Sequence, residues 1–79
     1  MKCIATNGHG YLSVTRKQVE TAVLQGFNPS SYSFYNSKVA LLEEDCDMGA
    51  YLKIVHPDNN FTLKIIYQND INRNCYERF

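Results

Sequence analysis

The sequence predicts a small α+β domain, with a mainly antiparallel sheet of about four strands and one or two helices packed on one face. Three observations carry this expectation. Residues 15–26 combine helix-end signals with an apolar stripe, residues 31–44 alternate as a hairpin does, and residues 61–68 alternate as a half-buried strand. At 79 residues the chain is one domain, 1–79, because so short a chain uses most of itself to bury a single core. A composition of 44% hydrophobic and 20% charged residues is that of a folded chain and not of a disordered tail.

In chain order, "KCIAT" (2–6) and "YLSV" (11–14) are strand candidates joined by the turn "NGHG" (7–10). Helix 15–25 follows. Thr15 is its N-cap, Gln18 stands three residues on as in a capping box, and Gly26 supplies the stop. Val19, Ala22, Val23 and Phe27 form its apolar stripe, while Arg16, Lys17 and Glu20 point elsewhere. In the hairpin 31–44, a two-residue turn at Asn36-Ser37 sets Phe34 opposite Val39 and Tyr32 opposite Leu41. Ser33 then faces Ala40, Tyr35 faces Lys38, and the four large apolar residues share one face.

"DMGAYLKIVHPDN" (47–59) fits two forms. Ile54 and Val55 suit a strand. A helix 47–56 would have Asp47 as N-cap, a stripe of Met48, Tyr51, Leu52 and Val55, and Pro57 just beyond its end; caps and periodicity favour this helix. "FTLKIIYQ" (61–68) alternates Phe61, Leu63, Ile65 and Tyr67 against Thr62 and Lys64, and the polar tail from Asn69 reads as short helix or irregular chain. The expected core is Tyr32, Phe34, Val39, Leu41, Val19, Val23, Leu63 and Ile65.

Charge narrows the partners. The formal net charge is zero, so no global positive field favours phosphate backbones. Its distribution is uneven: residues 39–60 hold Glu43, Glu44, Asp45, Asp47 and Asp58 against Lys53 alone, whereas Arg16, Lys17 and Lys38 lie in the basic N-terminal half. Cys3, Cys46 and Cys75 are too few and too widely spaced for a disulfide framework and suit free thiols in a reducing compartment. No apolar run approaches the ~20 residues of a membrane span, and nothing reads as a signal peptide, so a cytoplasmic location without membrane contact is expected.

Four carboxylates and a thiol in "LLEEDCDMG" (41–49) invite a catalytic reading, but adjacent strand residues point to opposite faces and do not converge. The same carboxylates suppress a Cys46 thiolate. His9, His56 and the cysteines lack the two-to-four spacing by which one turn presents two metal ligands. The chain is therefore expected to be no enzyme and to need no cofactor or metal.

"GHGYLSV" (8–14), "SYSFYN" (31–36) and "LLEEDCDMGAYL" (41–52) resemble a pattern in small uncharacterised proteins of bacteriophages, plasmids and their hosts. Those proteins show HGYL-V, a helix, a Y-S-Y hairpin and a LEEDCD segment opening a second helix. The resemblance spans residues 8 to 52 and implies a mobile-element setting and a fold hint, with no activity attached. The later strand "FTLKIIY" and Cys75 lie outside it.

The leading expectation is a non-enzymatic protein-binding accessory factor of a phage or mobile element, an inhibitor of a host defence or nucleic-acid enzyme. Its surface would be acidic and tyrosine-bearing, drawn from Glu43, Glu44, Asp45, Asp47, Tyr35 and Tyr51, and its partner a host or viral protein with a basic face. The alternative is a small nucleic-acid-binding regulator using Arg16, Lys17 and Lys38, with tyrosines as stacking platforms. A third reading is a homodimer formed through an exposed strand edge.

Overall fold

The computed structural model describes all 79 residues. Its elements are β1 (Lys2–Ala5), β2 (Gly10–Thr15), α1 (Arg16–Leu24), β3 (Phe34–Tyr35), β4 (Val39–Glu43), α2 (Gly49–Val55), β5 (Lys64–Tyr67) and β6 (Glu77–Arg78). A π-helical turn, Glu44–Met48, leads into α2, and a 3₁₀ turn occupies Arg73–Cys75. The α+β class is as expected, but the sheet has six strands and not about four, in the order β5-β1-β2-β4-β3-β6.

The sheet is also mixed, because β5 runs parallel to β1 while the other neighbours are antiparallel. The cause is topological. β4 is antiparallel to β2 and β2 to β1, so β4 and β1 share a direction; a crossover from β4 through α2 brings the chain back in that direction at the far edge. β6 was hidden in the polar tail, since two charged residues pairing with β3 carry no strand pattern of their own.

Helix α1 forms where its caps are written. The Thr15 hydroxyl accepts from Gln18 N–H at 3.1 Å, and the Gln18 side chain accepts from Thr15 N–H at 2.9 Å. At its end Phe27 N–H reaches Ala22 O and Gly26 N–H reaches Val23 O, a Schellman closure that requires the left-handed φ of +102° that glycine takes without strain.

The hairpin differs from its expected register. Phe34 pairs with Leu41 and Tyr35 with Ala40, and the ladder closes at Asn36 N–H to Val39 O, so Ser37 and Lys38 make the turn. Asn36 Oδ1 accepts from both Lys38 and Val39 N–H at 2.9 Å, an Asx turn that moves the bend one residue along. Phe34 thereby slips by two partners, which preserves the side-chain face.

That face is not the one the helices cover. Leu12, Val14, Ala40 and Leu42 pack with Val19, Ala22, Phe27, Tyr51 and Leu52 beneath the helices. Tyr11, Phe34 and Leu41 lie on the opposite face, where Ile71 of the C-terminal segment closes over them. Each fully buried aliphatic or aromatic side chain contributes roughly 1.5–3 kcal/mol, so both layers matter to so small a chain. Of the expected core, Val19, Phe34 and Leu41 are buried and Val39 and Leu63 half-buried. Tyr32 (62% exposed) precedes the short β3, Val23 turns outward from the Val19–Ala22 seam, and Ile65 lies on an edge strand.

Helix over strand is the outcome for 47–56, with helical chain from Glu44 to Val55. Tyr51 and Leu52 are buried as its stripe requires, whereas Val55 is exposed and Ile54 packs against the core in its place. No helix is long and apolar enough to cross a membrane.

Candidate functional site

Two carboxylates of the acidic run have internal partners. Glu43 ends β4 and is buried; its Oε2 accepts from Asp45 N–H at 2.9 Å and Cys46 N–H at 3.0 Å, capping the π-helical turn. Its other oxygen lies 3.6 Å from His9 Nδ1. The expectation that Asp47 caps the second helix is corrected here, because the cap one turn earlier is Glu43.

Asp47 is only 2% exposed and looks inward. Both of its oxygens accept from Ser30 N–H at 3.0 Å, Oδ2 also accepts from Ser30 Oγ at 2.8 Å, and Ser33 Oγ donates to it through a short contact. Ser33 Oγ in turn accepts from Glu43 N–H at 2.9 Å. A buried carboxylate is tolerated because every approach is a donor. Asp47 therefore ties the loop before β3 to the start of the second helix.

Glu44 and Asp45 are the exposed members of the run. They diverge. Glu44 stands over Gly10, where a Cβ would strike its carboxylate, so the glycine makes room for the acid. Asp45 faces a groove of about 370 Å³ on the sheet face away from the helices.

The groove is lined by the buried Tyr11 and Phe34, by the exposed Tyr32 and by charged residues of both signs. His9, Glu43, Asp45, Cys46, Arg73 and Arg78 complete the lining. Tyr11 and Phe34 meet edge to face with centroids 6.0 Å apart, and the Arg73 and Arg78 guanidiniums lie 5.2 and 5.1 Å from the Phe34 centroid. Arg78 is fixed by donating to Ser31 O at 3.1 Å. The Cys46 thiol is pushed up by desolvation, then by the hydrogen bond and charge of Glu43 and the charges of Asp47 and Asp45, so it stays protonated at neutral pH.

The remaining sequence-derived candidates lie elsewhere. Tyr51 is 1% exposed and offers no surface to a partner, while Tyr35 is half-buried on the helix side with Arg16 4.4 Å above its ring. The backbones of Arg16 and Lys38 meet where Arg16 N–H donates to Lys38 O at 3.0 Å, but the side chains of Arg16 and Lys17 line different clefts. Arg16 is partly occupied: it reaches Asn36 O at 3.4 Å and Glu20 at 3.8 Å, and its Nε is buried without a partner. A larger cleft, about 460 Å³, separates α1 from α2, but Lys17 is the one charged residue in its lining. No three His, Cys, Asp or Glu side chains converge as a metal cage would require.

The sequence reading missed Arg73 and Arg78, which lie in an unpatterned tail that only the tertiary fold lays over the sheet. It also missed the part played by Ser30, and it set Ser33 opposite Ala40 in the hairpin, whereas Tyr35 pairs with Ala40 and Ser33, just before β3, bonds Asp47. Comparison with protein-family models, with curated proteins and with solved structures finds no match.

Proposed function

We propose that the protein is a non-enzymatic binding factor that holds a partner protein in the groove between Asp45 and the Arg73/Arg78 pair. The observation that carries this is the groove itself, which sets Tyr32, largely open to solvent, among Asp45, Arg73 and Arg78. Tyrosine and arginine, the types of the exposed Tyr32 and of its neighbours Arg73 and Arg78, are among the residues that dominate binding energy at protein interfaces. The protonated Cys46 thiol argues against nucleophilic catalysis there.

The internal bonds of the acidic run narrow the partner's chemistry. With Glu43 and Asp47 consumed internally and Glu44 turned toward Gly10, Asp45 is the acid left in the groove to meet a basic side chain; Arg73 already has Asp70 at 3.9 Å, and Arg78, which donates only to Ser31 O, calls for an acidic one. The partner is then a protein segment of mixed charge that lays an apolar side chain against the exposed Tyr32. In the mobile-element setting implied by the resemblance, the factor would act in the host cytoplasm as an inhibitor of a defence or nucleic-acid enzyme.

Affinity capture from host lysate tests this with wild-type bait, Tyr32→Ala, Asp45→Lys and, as a remote control, Lys17→Glu. A stoichiometric protein retained by wild type and control but lost from the groove variants supports it. Recovery of no such protein, or equal recovery by all baits, sinks it.

A second reading, direct nucleic-acid binding, rests on Arg16, Lys17 and Lys38, which the backbone bond from Arg16 N–H to Lys38 O brings near one another in the chain fold. A gel shift at low salt separates the two: retardation that fades as salt rises and is lost in Lys17→Glu supports contact with phosphates.

A further inference from the structure

The two edges of the sheet are unlike. At one, β6 is two residues long and consists of Glu77 and Arg78, a short charged edge that resists further pairing. At the other, β5 is "KIIY", with Ile65 52% and Tyr67 79% exposed and no strand on its outer side. Lys64 N–H donates to Met1 O at 2.8 Å and Gln68 N–H to Ala5 O at 3.0 Å. Strand alternation then directs the N–H and C=O of Ile65 and Tyr67 away from β1, toward the open edge.

We propose that this edge pairs antiparallel with β5 of a second copy of the chain, about a two-fold axis at Ile66. Three features of β5 favour a second copy. A two-fold axis normal to the sheet keeps each side chain on its own face, so a residue pairs only with one of its own parity. Centred on Ile66, the register sets Ile65 opposite Tyr67 of the other copy, twice over, and these are the residues whose backbone groups face outward; each pair exchanges both N–H···O bonds. Their exposed side chains then lie side by side across the junction. Lys64 falls opposite Gln68, so no like charges meet. Joining β5 to β6 of another copy would instead give an open, growing filament and would set apolar residues against Glu77 and Arg78.

The two six-stranded sheets become continuous. A contact through four residues per copy is small beside the ~1,600 Å² of a standard interface, so the dimer is weak and concentration-dependent.

Sedimentation velocity from about 10 µM to 1 mM, a range chosen for weak interfaces, reads the association, and cross-linking reads the register. The mass is expected to rise from monomer toward dimer, and Tyr67→Lys, a change at an exposed side chain, is expected to remain monomeric at every concentration. In a Cys46→Ser/Cys75→Ser background, Ile66→Cys places two thiols at a directly opposed, non-hydrogen-bonded pair with Cα atoms about 4.5 Å apart, close enough for a disulfide. It should cross-link under mild oxidation several-fold faster than Ile65→Cys. A wild-type protein monomeric up to 1 mM overturns the proposal, as does a dimer undiminished by Tyr67→Lys or equal cross-linking at both positions.

Discussion

Ser33 donates its hydroxyl to the buried carboxylate of Asp47 and, through the same oxygen, accepts the backbone N–H of Glu43. One small side chain thus connects the end of β4, the loop before β3 and the first turn of the second helix. Ser33→Ala leaves a buried N–H and a buried carboxylate each short of a partner, and is expected to lower stability by about 2 kcal/mol, above the ~1 kcal/mol of a single hydrogen bond. Chemical denaturation measures this. Combined with Asp47→Ala, the loss should be clearly less than the sum of the two single losses, because both remove the same bond.

The Glu43 cap separates charge from hydrogen bonding. Glu43→Ala removes the acceptor of Asp45 and Cys46 N–H and should cost about 1–2 kcal/mol, whereas Glu43→Gln keeps an amide oxygen in place and should cost less than half of that. Thermal melts of the two variants at neutral pH check the ordering; equal losses would mean that the anionic charge, and not the cap geometry, is what matters.

Burial pushes the Tyr51 phenol above its ordinary 10.0, since desolvation disfavours the phenolate. A proton held more tightly in the folded state stabilises fully below the unfolded value, and that contribution is lost as pH rises from 10.0 through the folded value. Tyr51→Phe has no proton to lose. The stability of wild type relative to Tyr51→Phe should therefore be constant up to about pH 9 and fall progressively above pH 10, as read by urea midpoints across that range.

Much of this fold is legible locally. Thr15, Gln18 and Gly26 announce α1, and the β1–β2 hairpin and the helical character of 47–56 follow from turn chemistry and periodicity. What was illegible depends on distant partners. The exception is local: Asn36 moves the hairpin by an Asx turn that competes with the simpler two-residue bend. The apolar face carrying Phe34 and Leu41 was read correctly as a face, yet nothing near it indicates that Ile71, thirty residues on from Leu41, covers it in place of the helices. The acidic run shows the same limit: pattern assigns Asp47 the helix cap that Glu43 makes, and only the positions of Ser30, Ser33 and Gly10 tell the inward carboxylate from the outward ones.

That distinction between inward and outward carboxylates underlies the proposed binding face and is open to one paired measurement, the urea midpoints of Asp47→Asn and Asp45→Asn at neutral pH. Asp47→Asn puts an amide where Ser30 and Ser33 all donate, and should lose about 2–3 kcal/mol, a midpoint shift of about 1–2 M for a small domain. Asp45→Asn, at an exposed side chain, should stay within about 0.5 kcal/mol of wild type. Equal shifts in the two variants, or an unshifted Asp47→Asn, would contradict the account.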